Sequence, residues 1–402
     1  MDERILWVWI TQKFFPGSMR IPELLRRYES IRRIYDESEY DDVNLSGSER
    51  EALKDKSLDR AYEICSAVNL ANARILVYDD EKYPEALRHI DSPPYVLYVK
   101  GKIIDWSEYL LIGVVGTRNY SKYGLAATKA IVGELAARGA VIVTGLARGL
   151  DAAATKEALR HNSYTVVVNA YAIDTAIPYE NKAIFEAVQK TGIIMSEFPP
   201  GVRWSKNYIP IRNRIIAGLS RGVLVTEAPE KSGTLITVRH AVEYGRDVFA
   251  VPGSIFEKSY AGCNRLLQNS AKCTMSAQDI LDEYHDVAYR RRAPMANVFI
   301  GDLPEIEVSD ERIDPRPKKT KKEPERVKPK KSEDGEEKKP SLPDGLEEIE
   351  RKVAVCLLEG EKHRDEIIRE SGVDSGRVST TLVLLEMKGI VAALPSNKYK
   401  LK

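Results

Sequence analysis

Cysteine and histidine are scarce in this sequence, and neither residue type is grouped. The 402 residues include 4 cysteines with no CxxC pair, a spacing that fits neither a zinc site nor a disulfide framework. The 5 histidines are scattered along the chain and form no Ser-His-Asp pattern. We therefore expect buried or idle thiols, a reducing compartment and no metal site.

Long apolar runs are also absent, and the net charge is close to zero. No stretch approaches the roughly 18 apolar residues needed to span a bilayer, and the apolar piece at 5–10 is too short for a signal peptide. We therefore expect a soluble, cytoplasmic protein. Charged residues make up 30% of the chain, yet the formal net charge is only +1. Any nucleic-acid binding must therefore come from local patches rather than from a global field.

Chain length and local composition predict several domains. A chain of 402 residues is too long for one compact domain. Residues 1–75 have the pattern of a small helical domain, SAM-like or helix-hairpin-helix-like, with candidate helices at 5–15, 21–35, 48–54 and 58–69. Residues 76–288 form a central domain, residues 289–342 are rich in Lys, Glu, Asp and Pro, and residues 343–402 form a compact module. The charged third segment is predicted to be a disordered linker, and its interleaved acids favour a solvated tether over DNA contact.

The two terminal modules each have two open interpretations. A helix-hairpin-helix grips DNA phosphates through a glycine-rich hairpin, but the sequence at 16–19 lacks the second glycine, which favours packing over DNA contact. Candidate helices at 346–358, 363–371 and 375–388, followed by two short strands within 390–401, predict a winged helix. Its third helix offers few polar side chains, so protein interaction or dimer support stays open beside base readout.

The central domain alternates apolar strands with amphipathic helices. Strands are predicted at 110–115, 140–144, 165–169, 192–196, 222–227 and 247–251, and helices at 123–138, 151–160, 181–189, 212–219, 234–244 and 263–269. Several strands are apolar throughout, so both faces of the sheet must be covered. We therefore expect an α/β fold, an extended Rossmann-like parallel sheet with an N-terminal helical domain and a C-terminal winged helix. Ligands of such sheets bind beyond the carboxyl ends of the strands.

Glycines, hydroxyls and cations follow the predicted strands. After the first strand, Gly116, Thr117 and Arg118 precede a helix, and backbone N–H groups, the helix dipole and a guanidinium would together bind a phosphate there. Later strand ends contribute Gly145, Arg148, Lys182, Arg212, Asn213, Arg214, Ser232, Gly233 and Thr234. These residues predict a groove whose cations neutralise successive phosphates, while Tyr171, Tyr179 or Tyr208 stack on bases.

An enzyme is the main alternative to this binding role. Rossmann-like proteins that hydrolyse the N-glycosidic bond of nucleoside monophosphates combine a Gly-rich loop with a glutamate, and Glu227, Glu197 and Asp174 lie near the predicted groove. Gly233 stands alone, however, where those enzymes have two glycines. No GxGxxG follows the first strand, which disfavours a dinucleotide-dependent oxidoreductase. The sequence therefore favours a binding protein with no catalytic residue and no cofactor.

The same motifs, taken in order, resemble those of the DNA-processing protein A family, DprA, also called Smf. The resemblance covers roughly residues 83–284. It rests on VVGTR at 114–118, GLARGLD at 145–151, SEFPPG at 196–201, RNRIIAGLS at 212–220, SGTLIT at 232–237 and VPGS at 251–254. The resemblance implies a single-stranded DNA-binding protein that dimerises, protects incoming DNA from nucleases and helps to load the RecA recombinase in natural transformation.

The resemblance also implies roles for particular residues. Arg118 matches an arginine that contacts the DNA backbone in the family, with Thr117 in place of the usual serine. The positions that carry over besides these two are Gly116, Gly145, Arg212, Asn213 and Arg214. The loop at 169–174 lacks the glycine that the family commonly has. Tyr179 or Lys182 would therefore have to supply the contact with DNA at this loop. An adaptor that acts chiefly through RecA stays open as a third role, and nothing in the sequence marks the surface for it.

Overall fold

A computed structural model of the chain describes most of its residues. They are 2–41, 43–175, 179–285, 348–358, 360–374, 378, 381–382, 385, 390–394 and 398–401. The chain forms two compact units, Met1–Pro317 and Lys318–Lys402, and each is described by itself. The predicted linker at 289–342 lies outside the described residues, so its character stays a prediction.

Five helices form the N-terminal segment. They are α1 (Glu3–Thr11), α2 (Arg20–Tyr28), α3 (Ile31–Asp36), α4 (Gly47–Lys54) and α5 (Asp59–Leu70). The prediction of a single helix at 21–35 is wrong. Glu29 has a φ of 67° and ends α2, and the Ser30 hydroxyl accepts a hydrogen bond from the Arg33 N–H and starts α3. A serine N-cap of this kind satisfies an otherwise unpaired N–H at the helix start.

A nine-stranded sheet forms the centre of the first unit. Its strands are β1 (Arg74–Val77), β2 (Val96–Gly101), β3 (Leu111–Val115), β4 (Val141–Thr144), β5 (Thr165–Asn169), β6 (Ile193–Ser196), β7 (Gly222–Val225), β8 (Asp247–Ala250) and β9 (Lys272–Cys273). Their spatial order is β1-β2-β6-β5-β4-β3-β7-β8-β9. Strand β2 is antiparallel to both of its neighbours, and the strands from β6 to β9 are parallel. The six predicted strands are thereby confirmed.

Helices follow most of the strands. They are α6 (Glu85–Arg88), α7 (Lys122–Ala137), α8 (Leu150–Arg160), α9 (Lys182–Thr191), α10 (Tyr208–Leu219), α11 (Thr234–Glu243), α12 (Ala261–Gln268) and α13 (Ala277–Leu281). Helix α10 begins four residues before its predicted start at 212, which places the Arg-Asn-Arg sequence inside the helix rather than at its beginning. No helix in the described part of the chain is long and apolar enough to cross a membrane.

Two hydrophobic clusters cover the two faces of the sheet. On β5, Val167 belongs to one cluster, whereas Val166 and Val168 belong to the other. This alternation is expected of a strand that is buried on both faces. The N-terminal helices contribute residues to the cluster that contains Val167. In this cluster the Trp7 ring of α1 stacks on the Tyr95 ring, with 5.3 Å between the ring centroids. The helical segment therefore packs with the sheet as part of the same unit.

The Pro16-Gly17 turn, a weak candidate for DNA contact, packs inside this unit. Gly17 has a φ of +84°, and a Cβ at that position would lie 3.3 Å from Nε of Arg214. Glycine is therefore required there both by the backbone conformation and by a neighbouring guanidinium. The turn also lines a cavity of about 390 Å³ together with Glu197, Phe198 and other residues.

The second unit contains α14 (Glu348–Val355), β10 (Lys362–His363), α15 (Arg364–Ser371), β11 (Val391–Leu394) and β12 (Lys398–Leu401). The strands form a sheet in the order β10-β12-β11. Gly372 ends α15 with a φ of 65°, directly after the predicted end of this helix at residue 371. The predicted third helix at 375–388 lies mostly outside the described residues, so its role in base readout stays a prediction.

Candidate nucleic-acid interface

The chain changes direction across the sheet at β3. Strands β4, β5 and β6 follow on one side of β3, and β7 and β8 follow on the other. In open parallel sheets, ligands bind in the crevice that such a reversal creates at the carboxyl ends of the strands. The loop at 116–121 leaves β3 at this point, and the loop at 226–233 leaves β7 beside it. The Thr117 N–H donates to the Glu227 carbonyl at 2.9 Å and joins the two loops.

The start of α7 is occupied by a side chain of the protein itself. The Glu227 carboxylate accepts hydrogen bonds from the Ser121 N–H at 2.9 Å and from its hydroxyl at 3.0 Å. Glu227 is fully buried, and a Cβ on Gly124 would clash with its Oε2 atom. The expectation that the α7 dipole binds an external phosphate is therefore wrong, because an internal carboxylate already takes that position.

Arg212 is also an internal residue. It is 5% exposed, and its Nη1 donates to the carbonyl of Gly145 at 2.8 Å and to that of Val168. Glycine is needed at 145 because a Cβ there would clash with the guanidinium. Burial lowers the pKa of Arg212 to about 10, although the charge of Asp151 raises it. Arg212 therefore ties the carboxyl ends of β4 and β5 together instead of contacting a phosphate.

Asp151 completes this buried arrangement. Its Oδ1 accepts a hydrogen bond from the Gly116 N–H at 3.3 Å, and its side chain is buried. Burial raises the pKa of Asp151 to about 6, while the nearby Arg212 and the hydrogen bond from Gly116 act in the opposite direction. The predicted glycine amide at 116 thus binds an internal carboxylate as well.

Arg214 has an internal partner on the other side of α10. Its Nη2 donates to both carboxylate oxygens of Glu197 at 2.7 Å, and the side chains are 5% and 9% exposed. Asn213, between the two arginines, is 7% exposed, and its Oδ1 accepts from Nε of Arg212. The assignment of Arg212, Asn213 and Arg214 as direct DNA contacts is therefore corrected: they form the framework of the site.

The exposed residues at the same edge come from three loops. Arg118 is exposed, and no hydrogen bond or ion pair engages its side chain within the described part of the chain. Tyr179 is 77% exposed, Arg148 is 63% exposed and pairs with Glu180 at 2.6 Å, and Lys182 is 54% exposed. We call Arg118, Arg148, Tyr179 and Lys182 the strand-end surface.

Direct contacts between loops hold this surface together. Gly149, with a φ of +88°, lies so close to the β3 loop that a Cβ there would be 2.6 Å from Cα of Arg118. The next residue, Leu150, donates its N–H to the Thr117 carbonyl at 3.3 Å. Asn181 then joins the third loop, because its Nδ2 donates to the Leu146 carbonyl at 2.9 Å. The three loops therefore present their cations side by side on one surface.

The residues at the start of α11 have different positions. Ser232 and Gly233 are at least partly open to solvent, whereas Thr234 is 9% exposed. The Ser232 hydroxyl accepts a hydrogen bond from the Thr234 N–H at 3.2 Å. A Cβ on Gly233 would meet no atom within 4 Å, so close packing does not require glycine there. The motif therefore leaves only Ser232 and Gly233 open for contact with a ligand.

Aromatic side chains at this edge fall into two groups. Tyr208 stacks on Phe198 at 4.1 Å between ring centroids, so its predicted stacking face is already in use. Tyr171 instead stacks on Trp204 at 5.6 Å, and Trp204 is 45% exposed. The sequence reasoning missed Trp204, although its place between Arg203 and Lys206, shortly after β6, could have indicated it.

The three carboxylates considered for catalysis differ in exposure. Glu227 and Glu197 are buried with internal partners, and only Asp174 is exposed. Among the described residues, no three histidine, cysteine or carboxylate side chains come together as a metal site. The four cysteines are free thiols; Cys263 and Cys356 are buried, and Cys273 is exposed.

The internal position of Arg214 leads to a prediction about stability. Arg214→Ala leaves the Glu197 carboxylate buried without its partner, which should lower the free energy of unfolding by about 3–5 kcal/mol. Arg118→Ala is the matched control, and it should change the free energy of unfolding by less than about 0.5 kcal/mol because the side chain is exposed. Urea denaturation of both variants measures this difference. Equal stability of the two variants would contradict the framework role of Arg214.

Known proteins resemble this chain in both sequence and structure. The family model described as DNA recombination-mediator protein A matches residues 74–285, and the DprA winged helix domain matches residues 337–397. Protein Smf of Synechocystis is 34% identical over 337 residues, which are 82% of this chain and 80% of that protein. DNA processing protein DprA of Bacillus subtilis is 41% identical over 203 residues, or 50% of this chain and 68% of that protein.

A solved structure agrees with these matches. DNA processing protein A from Streptococcus pneumoniae superposes with a TM-score of 0.63 at 30% identity, over 71% of this chain and 99% of that chain. The sequence match to the first family model extends over more than half of the residues. The chain therefore belongs to the DNA recombination-mediator protein A family, known as DprA or Smf.

Proposed function

We propose that this protein binds single-stranded DNA along the strand-end surface and does not catalyse a reaction on it. Arg118 supports this function most directly, because it is an exposed cation with no internal partner among the described residues. Lys182 and Arg148 lie on the adjoining loops. Cations on neighbouring loops suit a chain of phosphates, since each neutralised phosphate releases counterions.

A single strand fits this surface better than a duplex. Tyr179 is largely exposed among the cations, and an exposed ring stacks on unpaired bases without regard to sequence. Bases within a duplex stack on one another and do not offer a free face. We therefore expect little sequence preference and a steep fall in affinity with salt.

The absence of catalysis is part of the proposal. The two glutamates nearest the crevice have structural partners, Ser121 for Glu227 and Arg214 for Glu197. A general acid or base must reach the proton that it transfers, and neither buried carboxylate is open to a bound nucleotide. DNA should therefore be recovered intact after binding.

Family membership extends the proposal to a biological role. Relatives in Bacillus subtilis and Streptococcus pneumoniae are named DNA processing protein DprA. We infer that this chain, as a homodimer, protects incoming DNA and helps to load the RecA recombinase during natural transformation.

The partnership with RecA predicts a contact that cross-linking can detect. RecA should be captured by this protein, and the yield should rise when single-stranded DNA is present because both proteins then share the strand. Capture that is equally strong without DNA would favour the adaptor role instead. Lack of any capture would remove RecA as a partner.

Arg118→Ala tests the DNA-binding surface. The variant should bind oligo-dT more weakly by about 1–3 kcal/mol, the order expected when a charged hydrogen bond is lost. The slope of log affinity against log salt should become shallower by about 0.7, because one phosphate contact is lost. Arg138→Ala is the control, since it removes the same charge just after the C-terminal end of α7. An unchanged dissociation constant for Arg118→Ala would exclude Arg118 from the site.

Glu180→Gln tests the neighbouring loop in the opposite direction. Glu180 pairs with Arg148 at 2.6 Å, so its carboxylate competes with a phosphate for the guanidinium. Removing that charge should tighten binding to oligo-dT by roughly 2- to 5-fold, the scale of an exposed ion pair. Glu134→Gln is the control, because Glu134 pairs with Arg138 in the last turn of α7. Fluorescence anisotropy measures the affinity of both variants for oligo-dT. Unchanged or weaker binding by Glu180→Gln would contradict a contact between Arg148 and DNA.

A further inference from the structure

Tyr171 and Trp204 form a stacked aromatic pair at the carboxyl ends of β5 and β6. Their ring centroids are 5.6 Å apart and their planes differ by 20°. Trp204 is 45% exposed, and within the described residues no hydrogen bond engages its side chain. An indole that is supported on one face and open to solvent can accept a further planar ring on its free surface.

Two hydrogen bonds hold the backbone on the Tyr171 side of the pair. The Ser196 hydroxyl donates to the Tyr171 carbonyl at 2.6 Å, and the Ile173 N–H donates to the Phe198 carbonyl at 3.2 Å. These bonds join the segment after β5 to the segment after β6. The backbone of Tyr171, which supports the Trp204 ring, is therefore positioned by the end of β6.

Two exposed cations flank Trp204 in the sequence. Arg203 precedes it and Lys206 follows two residues later, and both are exposed. Neither cation has an ion-pair partner in the part of the chain that the structure describes. The nearest glutamate in sequence, Glu197, is buried against Arg214. Stacking rings between free cations suit a base and the phosphates on either side of it.

The aromatic pair and the strand-end surface lie along one edge. Arg118 and Tyr171 both act electrostatically on the Arg212 guanidinium, which lies between the ends of β4 and β5. Strands β3 and β6 are separated by β4 and β5, so their ends are about 14 Å apart at the usual strand spacing. That distance corresponds to about four nucleotides at the 3.4 Å rise of one duplex strand, and to fewer when the strand is extended.

We propose that Tyr171 and Trp204, flanked by Arg203 and Lys206, form a nucleobase-stacking subsite for single-stranded DNA that is separate from the phosphate contacts at Arg118. This inference rests on the proposed DNA-binding function and adds a second place, besides Tyr179, where the protein contacts bases. The subsite takes an unpaired base of any type, because every base has a flat face. It thereby favours single strands over duplexes.

The experiment compares oligo-dT with an abasic oligonucleotide of equal length, which has the same phosphates but no bases. Trp204→Ala should weaken binding to oligo-dT roughly tenfold, within the range for loss of one stacked base. Its affinity for the abasic strand should stay at the wild-type value. Trp204→Phe, which keeps a flat ring, should retain most of the affinity for oligo-dT.

Two further variants separate the subsite from the rest of the surface. Arg118→Ala should weaken binding to both oligonucleotides by the same factor, because it removes a phosphate contact. Trp106→Ala should bind both like the wild type, since Trp106 precedes β3 at the opposite edge of the sheet.

Three results would overturn the subsite. In the first, Trp204→Ala binds oligo-dT and the abasic strand more weakly by the same factor. In the second, it binds both strands like the wild type. In the third, its DNA binding is unchanged but it no longer captures RecA. In each of these cases the effect of Arg118→Ala still reports on the proposed function. A wild-type protein that binds neither oligonucleotide would overturn the proposed function and the subsite together.

Discussion

Buried ionic groups beneath the carboxyl ends of the parallel strands are the constraint on which the site depends. Arg212 binds the carbonyls at the ends of β4 and β5, and Arg214 binds Glu197 after β6. Buried charges are costly unless they are paired and hydrogen-bonded. These contacts therefore hold the segments that follow β4, β5 and β6 in a fixed arrangement, and the exposed side chains of these segments become a surface rather than a set of mobile chains.

The same constraint decides which groups remain for a ligand. Glu227 occupies the start of α7, and Asp151 takes the Gly116 amide, so the crevice that would hold a small phosphate in other Rossmann-like folds is filled from inside. The exposed cations lie further out: Arg118 has no side-chain partner among the described residues, whereas Arg148 and Lys182 form surface ion pairs with Glu180 and Glu186. A surface of this kind suits a long, flexible polyanion and not a mononucleotide sealed from water. The distinction supports binding over hydrolysis.

The sequence predicted the sheet and its functional edge because both follow from local patterns. Apolar runs that end in glycine, hydroxyl or arginine residues predict strands and loops wherever they occur. Whether each arginine is exposed or paired inside the protein could not be predicted in that way. Arg118 and Arg214 both belong to motifs that follow predicted strands, yet Arg214 lies inside α10 and meets Glu197, 17 residues away in the chain, through a contact that only the folded structure creates.

Glu227 and Trp204 illustrate the same limit. Glu227 meets Ser121, which is 106 residues distant, and a glutamate after a strand has the same sequence signature whether it caps a helix or transfers a proton. Trp204 lies in a segment without helical or strand periodicity, so only its stacking on Tyr171 identifies it. Residues whose roles depend on partners far along the chain require the structure.

One measurement tests the central claim, that exposed cations and aromatic rings on a rigid edge bind a single strand and leave its bonds intact. Oligo-dT and a duplex of matched length are titrated against the full chain at two salt concentrations, and the DNA is recovered afterwards. We expect tighter binding of the single strand, a steep loss of affinity at the higher salt concentration, and DNA of unchanged length. Equal affinity for the duplex, affinity that does not depend on salt, or cleaved DNA would contradict the account.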